Sequence, residues 1–251
     1  GMETSSRNSE VVHSGIHYRS GSLKAWLCVD GNRFLGDFAE THKVSFLRTG
    51  KVTVACCEEE EEVLARLYRQ GRENGVQDLE IVEGAALRRM VPEVSARAGL
   101  YSPSTAIISA HGLMDALVEQ FREDGGLIGL GAEVIGIEQI HGGYRVHVRE
   151  AHPAVYCARC VINAAGLFAD HVAGLCGIPA RLYWAKGEYY RVHRNFSFSL
   201  PVYPVPLSDA LGIHLTPGLG GGWRLGPDIE YVQKTEFPYP DDRHSVSFAI
   251  G

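Results

Sequence analysis

The segment CVINAAGLFADHVAG, residues 160–174, passes from an apolar run through Ala164, Ala165 and Gly166 straight into a helical pattern. An apolar strand that ends in small residues and breaks at glycine into a helix is the junction of an α/β unit. It lets backbone approach a phosphate or sugar closely while the helix N-terminus faces the anion. The same three small residues also serve simply to fit a helix against a strand, so ligand contact stays open at this point. Upstream, the apolar run extends to residues 157–165, the pattern of a buried strand, and downstream residues 168–176 read as helix.

Working outward, residues 132–140 turn at His141-Gly142-Gly143 into residues 144–148, whose alternation reads as a half-exposed hairpin. A helix is expected over residues 111–124, with Leu113, Leu117, Val118 and Phe121 on one face and Gly125-Gly126 as its stop. Nearer the start, Leu23, Ala25, Leu27, Val29, Phe34, Leu35 and Phe38 fit a helix, followed by short strands at 44–47 and 51–57 around Thr49-Gly50. The five acids of residues 58–62 suit a helix N-terminus, and Val63, Leu64, Leu67 and Tyr68 follow at helical spacing up to Gly75. From Tyr183 onward, strands at 188–193, 211–216, 223–225 and 229–232 alternate with Pro and Gly and read as an antiparallel sheet.

The chain has 251 residues, 45% hydrophobic and 22% charged, long enough to bury a core and divide into two lobes. Its 24 basic and 30 acidic residues give a net charge of −6, and the basic residues are scattered, which argues against a nucleic-acid partner and for small molecules. No apolar run reaches the roughly 20 residues that span a bilayer, so a cytoplasmic setting is expected. Six cysteines are too few for a disulfide scaffold of this size. Cys157 and Cys160 have the spacing of a metal knuckle but lack a second pair, so no metal is expected and both read as buried thiols.

Two further stretches carry chemistry. In the opening ETSSRNSEVVHSGIHY, Thr4, Ser5, Ser6, Asn8 and Ser9 would serve equally as a helix cap or as donors to a pyrophosphate. Arg7, His13, His17 and Tyr18 stand beside them, two imidazoles titrating near neutrality. Further on, AKGEYY, YPVP and LGIHLT offer Lys186, Tyr189, Tyr203 and His214, which would suit a carboxylate and a proton transfer if they share one sheet face. RLGPDIEYV adds Arg224 as an anion partner. Aromatic packing on one side of a sheet explains the same pattern.

Taken in order, TSSRNSEVVHSGIHY, GSLKAWLCVDG, GLYSPSTAIISAH, VINAAGLFAD, AKGEYY, YPVP, LGIHLT and RLGPDIEYV resemble the FAD-dependent oxidoreductases of the D-amino-acid oxidase superfamily, and within it the L-2-hydroxyglutarate dehydrogenase/oxidase branch. The resemblance implies an α+β / α/β chain. A partial Rossmann-like FAD-binding lobe would take residues 1–40 and 100–180, and an antiparallel-sheet substrate lobe residues 41–99 and 181–251. It implies hydride transfer from a 2-hydroxy acid to flavin. Thr4, Ser5, Ser6, Arg7, Asn8 and Ser9 would line the cofactor, with Val134 at the adenine and Ala164, Ala165 and Gly166 approaching from a second strand. His13 and then His214 would be catalytic, and His17, Tyr18, Lys186, Tyr189, Tyr203 and Arg224 would bind substrate.

The chain departs from that family in two places. It holds no G-x-G-x-x-G turn between strand and helix, since residues 218–222 (GLGGG) have no helix behind them, and no Gly-Ile-Arg-Pro-like loop follows. The expectation is therefore that the chain by itself holds FAD weakly and exposes sheet edges through which it self-associates. Rival expectations are an inert sheet module, or an amino acid or glycerol 3-phosphate in place of the hydroxy acid. A quinone or membrane-surface link in a longer protein is a further expectation.

Overall fold

The computed structural model describes residues 3–206, 212–232 and 245–250. Helix α1 (Leu23–Thr41) starts at Ser22, whose side chain accepts from the Ala25 N–H, and buries Ala25, Val29, Asn32, Phe38 and Ala39 along one stripe. Helix α2 (Glu58–Glu73) gathers Glu58 to Glu61 in its first turn, where they face the positive end of the helix dipole, and buries Leu64, Leu67 and Gly71. Helix α3 (Gly84–Met90) is short. Helix α4 (Ala110–Glu123) is capped by the Ser109 side chain accepting from the Gly112 N–H. A 3-10 turn (Gly166–Phe168) leads into α5 (Ala169–Leu175).

The strands are β1 (Val11–Val12), β2 (Phe46–Leu47), β3 (Lys51–Ala55), β4 (Glu80–Glu83), β5 (Ala98–Ser102), β6 (Ala106–Ile108), β7 (Glu133–Ile140), β8 (Gly143–Arg149) and β9 (Ala154–Ala158). They continue with β10 (Tyr183–Glu188), β11 (Tyr190–Val192), β12 (Val202–Pro204), β13 (His214–Pro217), β14 (Trp223–Gly226), β15 (Glu230–Val232) and β16 (Ser245–Ile250). Seven of them form one sheet in the order β11-β14-β13-β12-β3-β5-β4. Three small sheets accompany it: β1-β6-β2, the meander β7-β8-β9, and β15-β10-β16. The first of these lies in a cluster with α1 and α4 built on Val12, Phe38, Ala39, Ala106, Ile108 and Ala116.

The large sheet has two unlike faces because side chains alternate along each strand. Register carries the alternation across strands: Val202 opposes Val52 and Leu215, while Tyr203 opposes Thr53 and Thr216 opposes Arg224. One face is apolar, with Val52, Val54, Val82, Val202 and Trp223 packed on Leu87 and Val91. The other face is split. At one end Ala55, Ala98 and Leu100 are covered by Leu64 and Leu67 of α2. At the other end stand Ser102, Lys51, Thr53, Tyr203, His214, Thr216 and Arg224, a run of polar side chains on a largely buried surface. Across this polar half lies the segment of residues 13–18, where the Ser102 hydroxyl donates to Ser14 Oγ at 2.8 Å and Ile16 joins the α2 cluster.

The α/β character, α1, α2, α4 and the β7–β8 hairpin match the expectations from sequence. Several local readings are corrected. The buried strand expected at 157–165 ends at Ala158, residues 159–165 carry no strand, and Ile162 is 86% exposed. Among the described residues no strand pairs with that run. The short strands expected at 44–47 and 51–57 form in part, as β2 and β3, and pair away from each other. Gly50, at φ 68°, turns the chain so that β2 pairs with β6 and β3 with β5 and β12. The large sheet is mixed, since β12 runs parallel to β3. Cys157 and Cys160 are exposed free thiols, not buried ones. Of the strand expected at 211–216, Leu211 lies outside the described residues and the strand begins at His214.

Candidate active site

Lys51 is the centre of the polar half-face. It is fully buried in the middle of the sheet, with its Nζ 3.0 Å from His17 Nε2 and 4.4 Å from the centre of the Tyr203 ring. Tyr203 stacks flat on His214, ring centres 3.9 Å apart and planes 6° from parallel, and meets His13 edge-on at 6.3 Å. Three histidines, one tyrosine and one lysine thus form a single contact group from β3, β12, β13 and the segment of residues 13–18.

Carboxamides from two helices hold that segment. Asn32 of α1 donates to the carbonyls of His13 at 3.1 Å and Ser104 at 3.0 Å. Asn74, which follows α2, donates to the carbonyls of Gly15 at 2.9 Å and Tyr18 at 2.8 Å, and Gln70 donates to the carbonyl of Ile16 at 2.8 Å. Each of these bonds satisfies a carbonyl that the irregular segment cannot pair by itself.

Burial sets the charge state of the group. It brings Lys51 down to about 7, with the Cys28 thiol opposing the shift. His13 falls to about 3, chiefly by burial and then through Lys51 and His214, and His214 falls to about 4, by burial and then Lys51. Burial first and Lys51 second also hold His17 well below the usual imidazole range, while burial pushes the Tyr203 phenol up. At neutral pH the imidazoles are uncharged because burial disfavours their protonation, and Lys51 is close to its own midpoint.

A second wall is made by residues 3–10. Asn8 donates to the carbonyls of Thr4 and Ser5, both at 3.0 Å, and accepts from the Glu10 N–H at 2.8 Å, so this stretch is a set of turns and not a helix cap. Glu10, at φ 60°, receives a bond of 2.9 Å from Arg224 of β14. Ser5, Asn8, His13 and Tyr18 line an open cavity of about 460 Å³, with Leu27, Leu35, Leu113 and Leu117 along its other side. Ser6, Arg7, Asn8, Tyr189, Arg191 and Arg224 border a larger one of about 1010 Å³. Asn8 and Glu10 belong to both.

The residues singled out in the sequence therefore fall into separate places. His13, His17, Tyr203 and His214 come together around Lys51, and Tyr18 contributes to the cavity that His13 faces. Thr4 sits in the turns of the second wall, and Ser9 lies beside the Tyr189 hydroxyl near Arg224. Val134 is on β7, and Ala164, Ala165 and Gly166 lie in the exposed run before α5; none of the four lines either cavity. Lys186 is on β10, in another sheet, and is ion-paired with Glu188. Among the described residues no three His, Cys, Asp or Glu side chains converge on a metal position. Lys51, Thr53, Asn32, Gln70 and Asn74 are the residues that sequence reasoning missed. Lys51-Val-Thr-Val-Ala55 alternates polar and apolar, which marks a strand but not whether its polar face is buried.

Comparison with known proteins gives a consistent setting. L-2-hydroxyglutarate dehydrogenase from Caenorhabditis elegans, a mitochondrial protein, is 32% identical over 244 residues, covering 94% of this chain and 56% of its own length. Its counterpart in Escherichia coli K12 is 30% identical over 246 residues, covering 93% and 58%. The chain thus spans somewhat over half the length of these relatives. Among solved structures, FAD-bound L-α-glycerophosphate oxidase from Mycoplasma pneumoniae superposes with a TM-score of 0.83 at 23% identity, over 98% of this chain and 72% of that one. Glycine oxidase from Geobacillus kaustophilus gives 0.77 at 19%, over 92% and 63%. The family described as FAD dependent oxidoreductase matches residues 1–248, and the chain belongs to that family.

Proposed function

We propose that this chain carries the substrate-facing part of a dehydrogenase that oxidises a 2-hydroxy acid, with L-2-hydroxyglutarate as its substrate and FAD as its cofactor. The observation that carries the reading is the neutral His13, at the wall of the 460 Å³ cavity and in edge contact with Tyr203 of the Lys51 group. The names of the relatives at 30% and 32% identity supply the substrate.

The residues present fit the ring end of FAD. The cavity is polar along Ser5, Asn8 and Tyr18 and apolar along Leu27, Leu35 and Leu113, which suits a flat ring system with hydrogen-bonding edges. FAD, when bound, supplies the acceptor for the hydrogen and two electrons that leave C2 of the acid. His13 takes the hydroxyl proton, so that the C2–H and O–H bonds are lost and a 2-oxo acid remains. A neutral imidazole is required for this, and burial keeps it neutral; the charge of a bound carboxylate nearby raises its basicity as the proton arrives. Glycine and glycerol 3-phosphate are the alternatives that the solved neighbours suggest; each carries an anion that a buried lysine would suit, and the more similar relatives favour the hydroxy acid.

The test is anaerobic bleaching of the flavin band in FAD-loaded protein. L-2-hydroxyglutarate is expected to bleach it, and His13→Ala to slow bleaching at least a hundredfold with FAD affinity changed less than threefold. Bleaching by glycine or glycerol 3-phosphate and not by the hydroxy acid would refute the assignment.

A further inference from the structure

Strand β11 pairs with β14 so that Arg191 stands directly opposite Arg224, while Val192 opposes Trp223. Opposite residues of an antiparallel pair point to the same side of the sheet, so the two guanidiniums share one face and Val192 and Trp223 the other. The arginine face is the polar one, because Arg224 also opposes Thr216 of β13, two residues from His214. Both arginines line the cavity of about 1010 Å³, with Arg7, Tyr189 and His193 beside them.

Like charges directly opposite across two strands repel. Glu10 answers only half of this pair: its Oε2 receives Arg224 at 2.9 Å, and its Oε1 accepts the Ala110 N–H at 3.3 Å. Among the described residues no carboxylate pairs with Arg191. The charged side chains along the cavity are there Arg7, Arg191, Arg224 and that one glutamate, a positive wall in a chain whose net charge is −6. A concave wall of one sign concentrates the opposite ion. Gly220, Gly221 and Gly222 border the cavity as well, and a Cβ on any of them would meet nothing within 4 Å, so the approach to Arg191 is open.

The wall is also within reach of the reacting end. The two cavities adjoin at Asn8 and Glu10, which line both, and β11 lies two strands from His214 of β13, ~10 Å across the sheet. We propose that Arg191 is a specificity-determining residue: with Arg224 it receives the carboxylate remote from the reacting carbon and so selects a 2-hydroxy diacid over a 2-hydroxy monoacid. A guanidinium meets a carboxylate through two parallel N–H donors, which gives the subsite direction as well as charge. The proposal rests on the hydroxy-acid reading for the reacting end of the ligand, though not for the anion subsite itself.

Glutarate and pentanoate differ in that a methyl group replaces one carboxylate, and L-2-hydroxyglutarate and L-2-hydroxypentanoate differ in the same way. Calorimetry is expected to show glutarate bound at least tenfold more tightly than pentanoate, an advantage that shrinks at high salt. Arg191→Met should remove it, weakening glutarate at least tenfold and pentanoate less than twofold. In turnover the same variant should raise KM for L-2-hydroxyglutarate at least tenfold with kcat held within threefold, the pattern of binding lost equally from ground state and transition state. Arg191→Lys, which keeps the charge and loses the paired donors, should fall between Arg191→Met and the parent. Equal binding of glutarate and pentanoate by the parent, an equal loss of both in Arg191→Met, or a loss of neither overturns the assignment. So does an Arg191→Met protein that binds FAD tenfold more weakly and keeps the glutarate advantage, since the arginines would then serve a cofactor phosphate. An Arg191-dependent preference for glutarate in a protein whose flavin L-2-hydroxyglutarate does not bleach would leave the subsite standing and remove the substrate assignment.

Discussion

Lys51 and the three histidines around it are titratable groups held away from water, and they tie stability to pH. Lys51 is usually protonated up to 10.5 and here only to about 7, so above pH 7 the unfolded chain holds a proton that the folded one lacks, and stability rises with pH there. The histidines work in the window below. Their usual value of 6.5 is lowered to about 3 for His13 and about 4 for His214, so acidification through that range protonates the unfolded chain first and stability falls. Urea midpoints are accordingly expected to climb steadily from pH 5 to 8.5. In Lys51→Met the climb should stop near pH 7, and His214→Asn should flatten the acid limb; a midpoint that is level across the range in the parent would contradict the assigned charge states. The reactive character of His13, His17, Tyr203 and His214 was legible from residue type. Lys51 was not, because alternating polar and apolar residues in a strand look the same whether the polar face meets water or a buried site.

The elements were legible where a period ran long enough. The apolar stripe of α1 and the charged opening of α2 identify those helices, and Gly142 with its neighbours identifies the hairpin of β7 and β8. Strands of three to five residues such as β5, β6 and β12 carry too few alternations to be distinguished from loop, and their pairing is decided by partners far off in the chain. Gly99 shows how closely they pack. A Cβ there would lie 2.7 Å from Val52, 3.1 Å from Leu87 and 3.3 Å from Val82, all within the apolar face of the large sheet. Gly99→Ala is expected to cost ~1–3 kcal/mol by overpacking, read from urea unfolding, with the Lys51 side of the sheet and its pH dependence unchanged.

At the scale of the whole molecule, the site belongs to no single stretch. Glu10 meets Arg224 from 214 positions away, Ser14 meets Ser102 from 88, and β3 joins β12 across an even longer interval than β5. Sequence could name the two walls but not their contact, since nothing local to residues 13–18 announces that Asn32, Gln70 and Asn74 reach back to hold them. The held segment has a kinetic consequence. With its carbonyls at Gly15, Ile16 and Tyr18 fixed by side-chain amides, no ordering step has to precede association. Stopped-flow mixing with glutarate should then give one exponential whose rate rises linearly with concentration. Asn74→Ala, which frees two of those carbonyls, should add a slower phase that saturates at high ligand, the mark of a segment that must first find its place.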